Sequence, residues 1–395
     1  MRWRIPEDAS EMRPPQEREV SFTMPRLVLA GLGHAHLFVL EAARDGRLPP
    51  CELVVCTGER EHSYSGMVPG WVGGRYRREE LTLPVAALAA QVGATLRPHH
   101  VIGLDRASRD VLLADGSREP YDLCSIATGS KPSGLKLPGV LEHAFPLKPL
   151  NGVIDVMARA SELAAAGRGQ VVMVGGGGAG VEVACNLAAR LRQMGDKGGV
   201  GITIVSRDPR PAMDRSPMTR RLVERALARH QIRFLGGQGV RGVDASSVQL
   251  DAASLPSDLT IWATGASAPA WFASTGLPLD ERGFLLVNRA LQTLGDGNVL
   301  AAGDAATPAD AKGTPKAGVY AVRMGPQLVG TLTALLSGVP PDSSWRPQRR
   351  FLALLSTGDD RAIASWGPFA AEGRWAMTLK DRIDRRFLKR FSVVR

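Results

Sequence analysis

The sequence predicts an α/β fold of two Rossmann-like βαβ units, and three observations carry that prediction. An apolar, β-prone run ends in glycines and passes straight into a helical pattern twice, at RLVLAGLGHAHLFVL (26–40) and at VVMVGGGGAGVEVACNLAARL (171–191). Each helix leads to a further apolar strand, CELVVC (51–56) and GITIVS (201–206), the alternation of a parallel sheet. Each unit then closes on a strand ending in Ala-Thr-Gly, at 127–129 and at 263–265, so the whole series repeats.

The remaining elements follow in order. Residues 1–23 lack an apolar stretch and are expected as an extension, not a signal peptide, with Met24 as a plausible start. VLLADGSREPYD predicts a hairpin with Asp115-Gly116 at its turn. DLCSIATGS reads as a strand, Pro132 and Pro138 mark a linker, and 151–166 has helical periodicity. GNVLAAGDAAT predicts a strand, and AGVYAVRMGPQLVGTLTALL a long helix. The expected organisation is 24–146 and 269–345 as two parts of one nucleotide-binding domain, 147–268 as the second, and 346–395 as a C-terminal domain.

Composition excludes several classes. With 44% hydrophobic and 22% charged residues the chain buries a substantial core, and no apolar run reaches the length of a membrane-spanning helix. The net charge of +10 raises the question of nucleic acid. However, Arg374, Lys380, Arg382, Arg385, Arg386, Lys389, Arg390 and Arg395 stand against only Asp381 and Asp384. More than half of the excess is therefore terminal, and no nucleic-acid partner is expected. In the same segment Trp375, Leu379, Ile383, Phe387 and Phe391 recur every four residues, a drifting helical stripe. Two readings stay open for residues 374–395: an anionic membrane surface, or docking on the chain itself or a partner subunit.

Cys51 and Cys56 have the spacing of a redox disulfide, but they lie along one strand. Five residues of strand separate them by about 16 Å, where a disulfide tolerates about 7 Å. Cys124 and Cys185 are expected as buried structural thiols.

The glycine loops carry the chemistry. Pyrophosphate needs a backbone free of Cβ and helix N–H groups aimed at the anion. Gly175-x-Gly177-x-x-Gly180 meets that need, with Glu182 following on the helix. The first loop keeps Gly31 and Gly33 but has His36 at the third position. That position serves helix–strand packing, so the cradle survives. Whether His36 also touches the cofactor stays open; His34 is expected exposed. The ribose-reading acid expected after the second strand is Glu59 in the first unit. The second unit has Ser206-Arg207 instead, which suits a 2′-phosphate at least as well as a bare hydroxyl, leaving NADH or NADPH open.

The order GLGHAH, ATGS, GGGGAGVE, ATGA, LAAGDAA and PKAGVYA resembles the flavoprotein superfamily of pyridine nucleotide–disulfide oxidoreductases, glutathione-reductase-like in fold. Within it the chain is similar to type II NADH dehydrogenases and sulfide:quinone reductases. HSYSGMVPG, PKAGVYAVRMGP and the tail from STGDDRAIASWGPF resemble a subfamily associated with selenide water dikinase. The resemblance implies FAD on Gly31 and Gly33 with Glu59 at its ribose, and Gly303-Asp304 at its ribityl chain. It further implies Thr128-Gly129 and Thr264-Gly265 packed against the cofactors, and NAD(P)H on the second loop. The missing dithiol and the missing quinone-site glutamines are departures from it.

A helix N-terminus at Ala317-Gly318 would stabilise charge on a reduced flavin. Lys316 sits where a cation is unfavourable to that helix, which points to a ligand role, and a Glu182–Lys316 pair is expected beside the flavin. Tyr64, Ser65 and Met67 are expected to line the pocket, with plain packing an equal alternative for Tyr64. The function implied is an FAD-dependent NAD(P)H oxidoreductase delivering electrons to a quinone or other non-disulfide acceptor. Its alternatives are a selenium- or sulfur-linked reductase or oxidase, and a flavin-bearing sensor or membrane-docked partner with negligible turnover. A cytoplasmic or inner-face peripheral location and a homodimer are compatible with this reading.

Overall fold

The computed structural model describes residues 24–392; the expected extension at 1–23 and residues 393–395 of the tail lie outside the described residues. The strand Arg26–Ala30 lies inside an eight-stranded sheet, parallel to Glu52–Cys56 on one side and Leu123–Ile126 on the other. Leu27, Val28 and Leu29 are fully buried, as a parallel strand covered on both faces requires. Each such side chain contributes about 1.5–3 kcal/mol of burial. Asp296–Ala301 pairs in parallel with Leu123–Ile126, so the chain returns to its first sheet after a long excursion.

That excursion is a second sheet of five parallel strands, ordered Ala144–Pro146, Leu259–Trp262, Gly169–Val174, Val200–Val205 and Arg233–Leu235. The two crossings between sheets run side by side, Lys131–Pro132 antiparallel to Ala266–Ser267. The expected hairpin forms from Asp110–Leu113 and Arg118–Pro120, with Gly116 in the turn.

Four helices position the site: α1 (His34–Arg44), α2 (Gly178–Gln193), α3 (Gly318–Leu336) and α4 (Arg374–Phe391). Helices α1 and α3 cross tightly, because a Cβ on Gly325 would stand 2.3 Å from the Phe38 ring. Before α4 comes a three-stranded antiparallel sheet, Leu352–Ser356, Ala362–Trp366 and Phe369–Gly373.

The face of α4 that packs inward differs from the expected stripe. Ala376, Met377, Lys380, Asp384, Leu388 and Phe391 are buried, whereas Trp375 and Ile383 are 55% and 43% exposed. The apolar residues alone mislead because the inward face carries an ion pair. The helix docks on its own chain: Arg390 pairs with Glu41 at 2.5 Å, Arg385 with Glu80 at 2.9 Å, and Phe391 meets Phe38 edge to face.

Cys51 and Cys56 flank and end the strand Glu52–Cys56, and all four cysteines are free. Cys124 and Cys185 are buried as expected. Burial pushes the Cys56 and Cys185 thiols up to about 12, which removes them as thiolate nucleophiles.

Candidate active site

Two phosphate cradles follow directly from the two glycine turns. Gly31 has φ +80°, and a Cβ there would lie 2.7 Å from the Thr128 backbone; Gly33, the N-cap of α1, comes equally near the Ala127 carbonyl. Gly175 has φ +123°, and a Cβ on Gly180 would lie 2.0 Å from the Gly175 carbonyl. The third glycine thus serves packing, as its position predicts. Gly177, N-cap of α2, has nothing within 4 Å where its Cβ would be. That open backbone beside free helix N–H groups is the space an anion occupies.

His36 resolves differently from a cofactor contact. Its Nδ1–H donates to the Gly31 carbonyl at 2.7 Å, and its Nε2 accepts from the Ser125 hydroxyl at 2.9 Å. Both ring nitrogens are used by the protein, so the placement of His36 among cofactor-binding residues is corrected. The ring replaces a close backbone approach with two bonds. Desolvation lowers its pKa to about 4 and keeps it neutral.

His34 is not exposed as expected. Its ring is enclosed by His62 (centroids 4.9 Å apart), Tyr64 (5.5 Å) and Phe387 (5.9 Å). It also approaches α3, since a Cβ on Gly318 would stand 3.8 Å from His34 Nε2 and 3.6 Å from Ser65 Oγ. The N-termini of α1 and α3 therefore converge. Met67 is fully buried.

The chain has groups suited to FAD. Thr128 Oγ1 is buried and unbonded next to Gly31, and the position a Cβ would take on Gly129 is open. Asp304 accepts from Ser130 Oγ at 2.9 Å and Lys148 Nζ at 3.4 Å through Oδ2, while Oδ1 has no bond among the described residues. Gly303 holds the turn before it with φ +66°. Glu59 is exposed just past the strand Glu52–Cys56. With FAD in place, Thr128, Asp304 and the α1 and α3 N-termini would hold it.

Other expected residues take up structural work. Thr264 Oγ1 donates to the Ser133 carbonyl at 2.6 Å, and the Gly265 carbonyl accepts from Ser133 N–H at 2.7 Å. Both tie the crossings together, so the Thr264 hydroxyl serves the link between them. Lys316 donates to the Ala306 carbonyl at 2.6 Å and to Thr307 Oγ1 at 2.8 Å, with its ammonium 4.0 Å over the Phe284 ring. It straps the segment ahead of α3 to the first sheet, and burial lowers its pKa to about 8.

The expected Glu182–Lys316 pair does not form. The cations that act on Glu182 are Lys380, from α4, and more weakly Arg215. Glu182 accepts from the Ser356 N–H at 2.8 Å, and burial pushes its pKa up to about 7 against the pull of Lys380. Lys380 donates to the Gly66 carbonyl at 2.7 Å and to Asp384 at 3.0 Å. Burial works against its ammonium, but Glu182 and Asp384 outweigh that and hold its pKa above the ordinary lysine value. Sequence reasoning missed Lys380 and Asp384 because both were counted as surface charge. Their spacing of four, inside the helix's true inward period, was the available signal.

In the second unit Ser206 Oγ accepts from the Asp208 N–H, and Arg207 is exposed without an ion pair among the described residues. A recess of about 270 Å³ opens two residues further on, lined by Pro209, Arg210, Glu224 and Phe234 among others.

Two glycine cradles at helix N-termini, each following a strand with parallel neighbours, on two sheets joined by paired crossings, define an oxidoreductase of the two-dinucleotide flavoprotein class. The chain belongs to the pyridine nucleotide-disulphide oxidoreductase family, whose model matches residues 26–325. It is 26% identical over 358 residues to a demethylphylloquinone reductase of Synechocystis, covering 86% of each chain. It is 28% identical over 297 residues to an NADH dehydrogenase-like protein of Mycobacterium tuberculosis, covering 72% and 73%. Its fold matches the sulfide:quinone oxidoreductase of Aquifex aeolicus (TM-score 0.75, 18% identity, 93% and 92% covered). It also matches NDH2 of Plasmodium falciparum (TM-score 0.74, 13% identity, 93% and 98% covered). The protein is an FAD-dependent NAD(P)H oxidoreductase.

Proposed function

We propose that the protein reduces a quinone with electrons from NAD(P)H, and that Glu182 and Lys380 manage the protons. When bound, FAD would supply the hydride-accepting, two-electron chemistry between nicotinamide and acceptor. Quinone reduction adds two electrons and two protons; one proton arrives with the hydride, and a half-buried carboxyl titrating near neutrality can donate the other and recover it from solvent. The observation that carries the reading is the Glu182, Lys380 and Asp384 cluster, built where α2, α4 and the 64–67 segment meet. The four free cysteines, with Cys51 and Cys56 strung along one strand, support an acceptor other than a disulfide. The similarity to a demethylphylloquinone reductase supports the same acceptor class.

The test is stopped-flow reduction of the purified yellow protein by NADH and NADPH, followed by reoxidation with soluble quinones and with selenium and sulfur compounds. Fast reoxidation by the last group alone would transfer the function to a selenium- or sulfur-linked reductase.

Arg207 is the residue that would meet a 2′-phosphate. Arg207→Ala is expected to raise the KM for NADPH about 10- to 100-fold, the worth of a charge-assisted bond, with little change for NADH. Equal effects on both nucleotides would count against it.

The acceptor is read as membrane-borne. Among the described residues no helix is long and apolar enough to cross a membrane. Leu352, Trp366 and Phe369 pair directly across the C-terminal sheet, so they share one face, and they are 37%, 49% and 70% exposed. Exposed Arg349 and Arg350 adjoin them in the chain and Arg374 and Arg382 line the outer side of α4. An aromatic row with a basic surround suits an anionic bilayer. The double variant Trp366→Ala, Phe369→Ala is expected to bind phosphatidylglycerol vesicles at least about tenfold more weakly with FAD content unchanged. Undiminished sedimentation with vesicles would remove this surface.

A further inference from the structure

The cluster around Lys380 contains more than the proposed proton exchange requires. Lys380 and Asp384 have side chains 7% and 6% exposed, four residues apart on α4. Asp384 uses both oxygens: Oδ2 accepts from Lys380 Nζ at 3.0 Å, and Oδ1 accepts from the Tyr64 hydroxyl at 3.1 Å. The Tyr64 ring is stacked on Phe387, one turn beyond Asp384, with centroids 4.6 Å apart. Lys380 is held from the other side by the Gly66 carbonyl, at 2.7 Å. Tyr64 and Gly66 belong to the first domain, so two elements grip one ammonium.

Stability does not account for this arrangement. A buried ion pair roughly breaks even against apolar residues of similar volume, and α4 already docks through Leu388, Phe391 and the Arg390–Glu41 pair. What the grip does is geometric. Lys380 acts electrostatically on Glu182 but forms no ion pair with it, and its ammonium is bonded to Asp384 and the Gly66 carbonyl instead. We propose that Asp384, braced by Tyr64, is a positioning residue that holds the Lys380 ammonium off a direct ion pair with Glu182 and leaves that carboxyl free to exchange a proton. This inference rests on the reading of Glu182 as the proton-exchanging group.

Four groups act on the charge of Glu182. They are Lys380 and Asp384 from α4, the Ser356 N–H from the C-terminal sheet, and Arg215 from the loop before helix Pro217–Arg229. Lys380, Arg215 and the Ser356 N–H favour the carboxylate; Asp384 opposes it. Removing the Asp384 charge therefore acts twice in one direction. It deletes the opposing carboxylate, and it releases Lys380 towards Glu182.

The test is the pH profile of flavin reoxidation by a soluble quinone in the holoenzyme. In Asp384→Asn the midpoint is expected to move to lower pH by about one unit, a tenfold change in proton affinity. In Lys380→Met it is expected to move to higher pH. Tyr64→Phe removes only the brace, loosens the hold of Asp384 on Lys380, and is expected to lower the midpoint by a smaller amount. Should Asp384→Asn not fold, an unshifted Tyr64→Phe profile overturns the proposal by itself. A purely structural Asp384 would lower protein yield or thermal stability and leave the midpoint where it is, which also overturns it. Glu182→Gln separates the two readings. If that variant keeps the wild-type midpoint, Glu182 is not the titrating group and the underlying reading fails. If it loses the midpoint while Asp384→Asn is unshifted, only the positioning role fails.

Discussion

Gly177→Val is expected to fold, to bind FAD and to be yellow, yet to be reduced by NAD(P)H at least about 100-fold more slowly. The reason is the contrast between the glycines of one loop. A side chain at Gly180 would strike the Gly175 carbonyl, and one at Gly175 the Ala263 carbonyl, so changes there damage the fold. A side chain at Gly177 meets no protein atom within 4 Å. It enters the space kept for the nucleotide pyrophosphate, so binding fails without a folding defect. Single-turnover bleaching of the flavin, with thermal stability as the control, checks this. A variant reduced at the wild-type rate would show that the nicotinamide nucleotide lies elsewhere.

The second large effect is at Glu182. If the protonated carboxyl delivers protons to the acceptor, reoxidation slows as pH rises through about 7. Glu182→Gln is expected to abolish that pH dependence and to lower the rate by about 100-fold, the lower end of what a positioned acid contributes. The same substitution has a stability signature whose sign follows from linkage. The unfolded chain releases this proton near the ordinary value of 4.5, the folded protein only near 7. Between those values the folded state binds more protons, so the stabilising contribution is complete below pH 4.5 and is lost as pH rises through 7. Allowing for partial exposure, the loss is on the order of 2 kcal/mol. Urea titrations at pH 5 and pH 8 should show it in the wild type relative to Glu182→Gln. Equal differences at both pH values would place the ionisation elsewhere.

The chain displays its backbone chemistry openly and its side-chain chemistry poorly. Gly31, Gly33, Gly175, Gly177 and Gly180 could be read in advance because each is imposed by a local requirement, a turn, a contact or an open cradle. Cys51 and Cys56 could be dismissed for a similar reason, since strand rise fixes how far apart they stand. Lys316 misled because a cation before a helix N-terminus is locally unfavourable, and its compensation comes from Thr307, Ala306 and the Phe284 ring, contacts that only folding creates. His36 could be recognised as a packing substitute, but not its two hydrogen bonds. One partner, Ser125, lies on the strand Leu123–Ile126, 89 residues further along the chain.

The amino-acid order by itself determined two nucleotide-binding units, their glycine cradles and the separation that keeps Cys51 from Cys56. These depend on dihedral freedom, side-chain period and strand geometry, all set within a few residues. Only the tertiary structure decided that α4 turns Lys380 and Asp384 inward, that Glu182 answers to Lys380 and not Lys316, and that Tyr64 braces the group. Buried charges are settled by partners distant in sequence, because an ammonium can leave water only where several acceptors converge. That convergence exists only once the sheets and the last helix have docked.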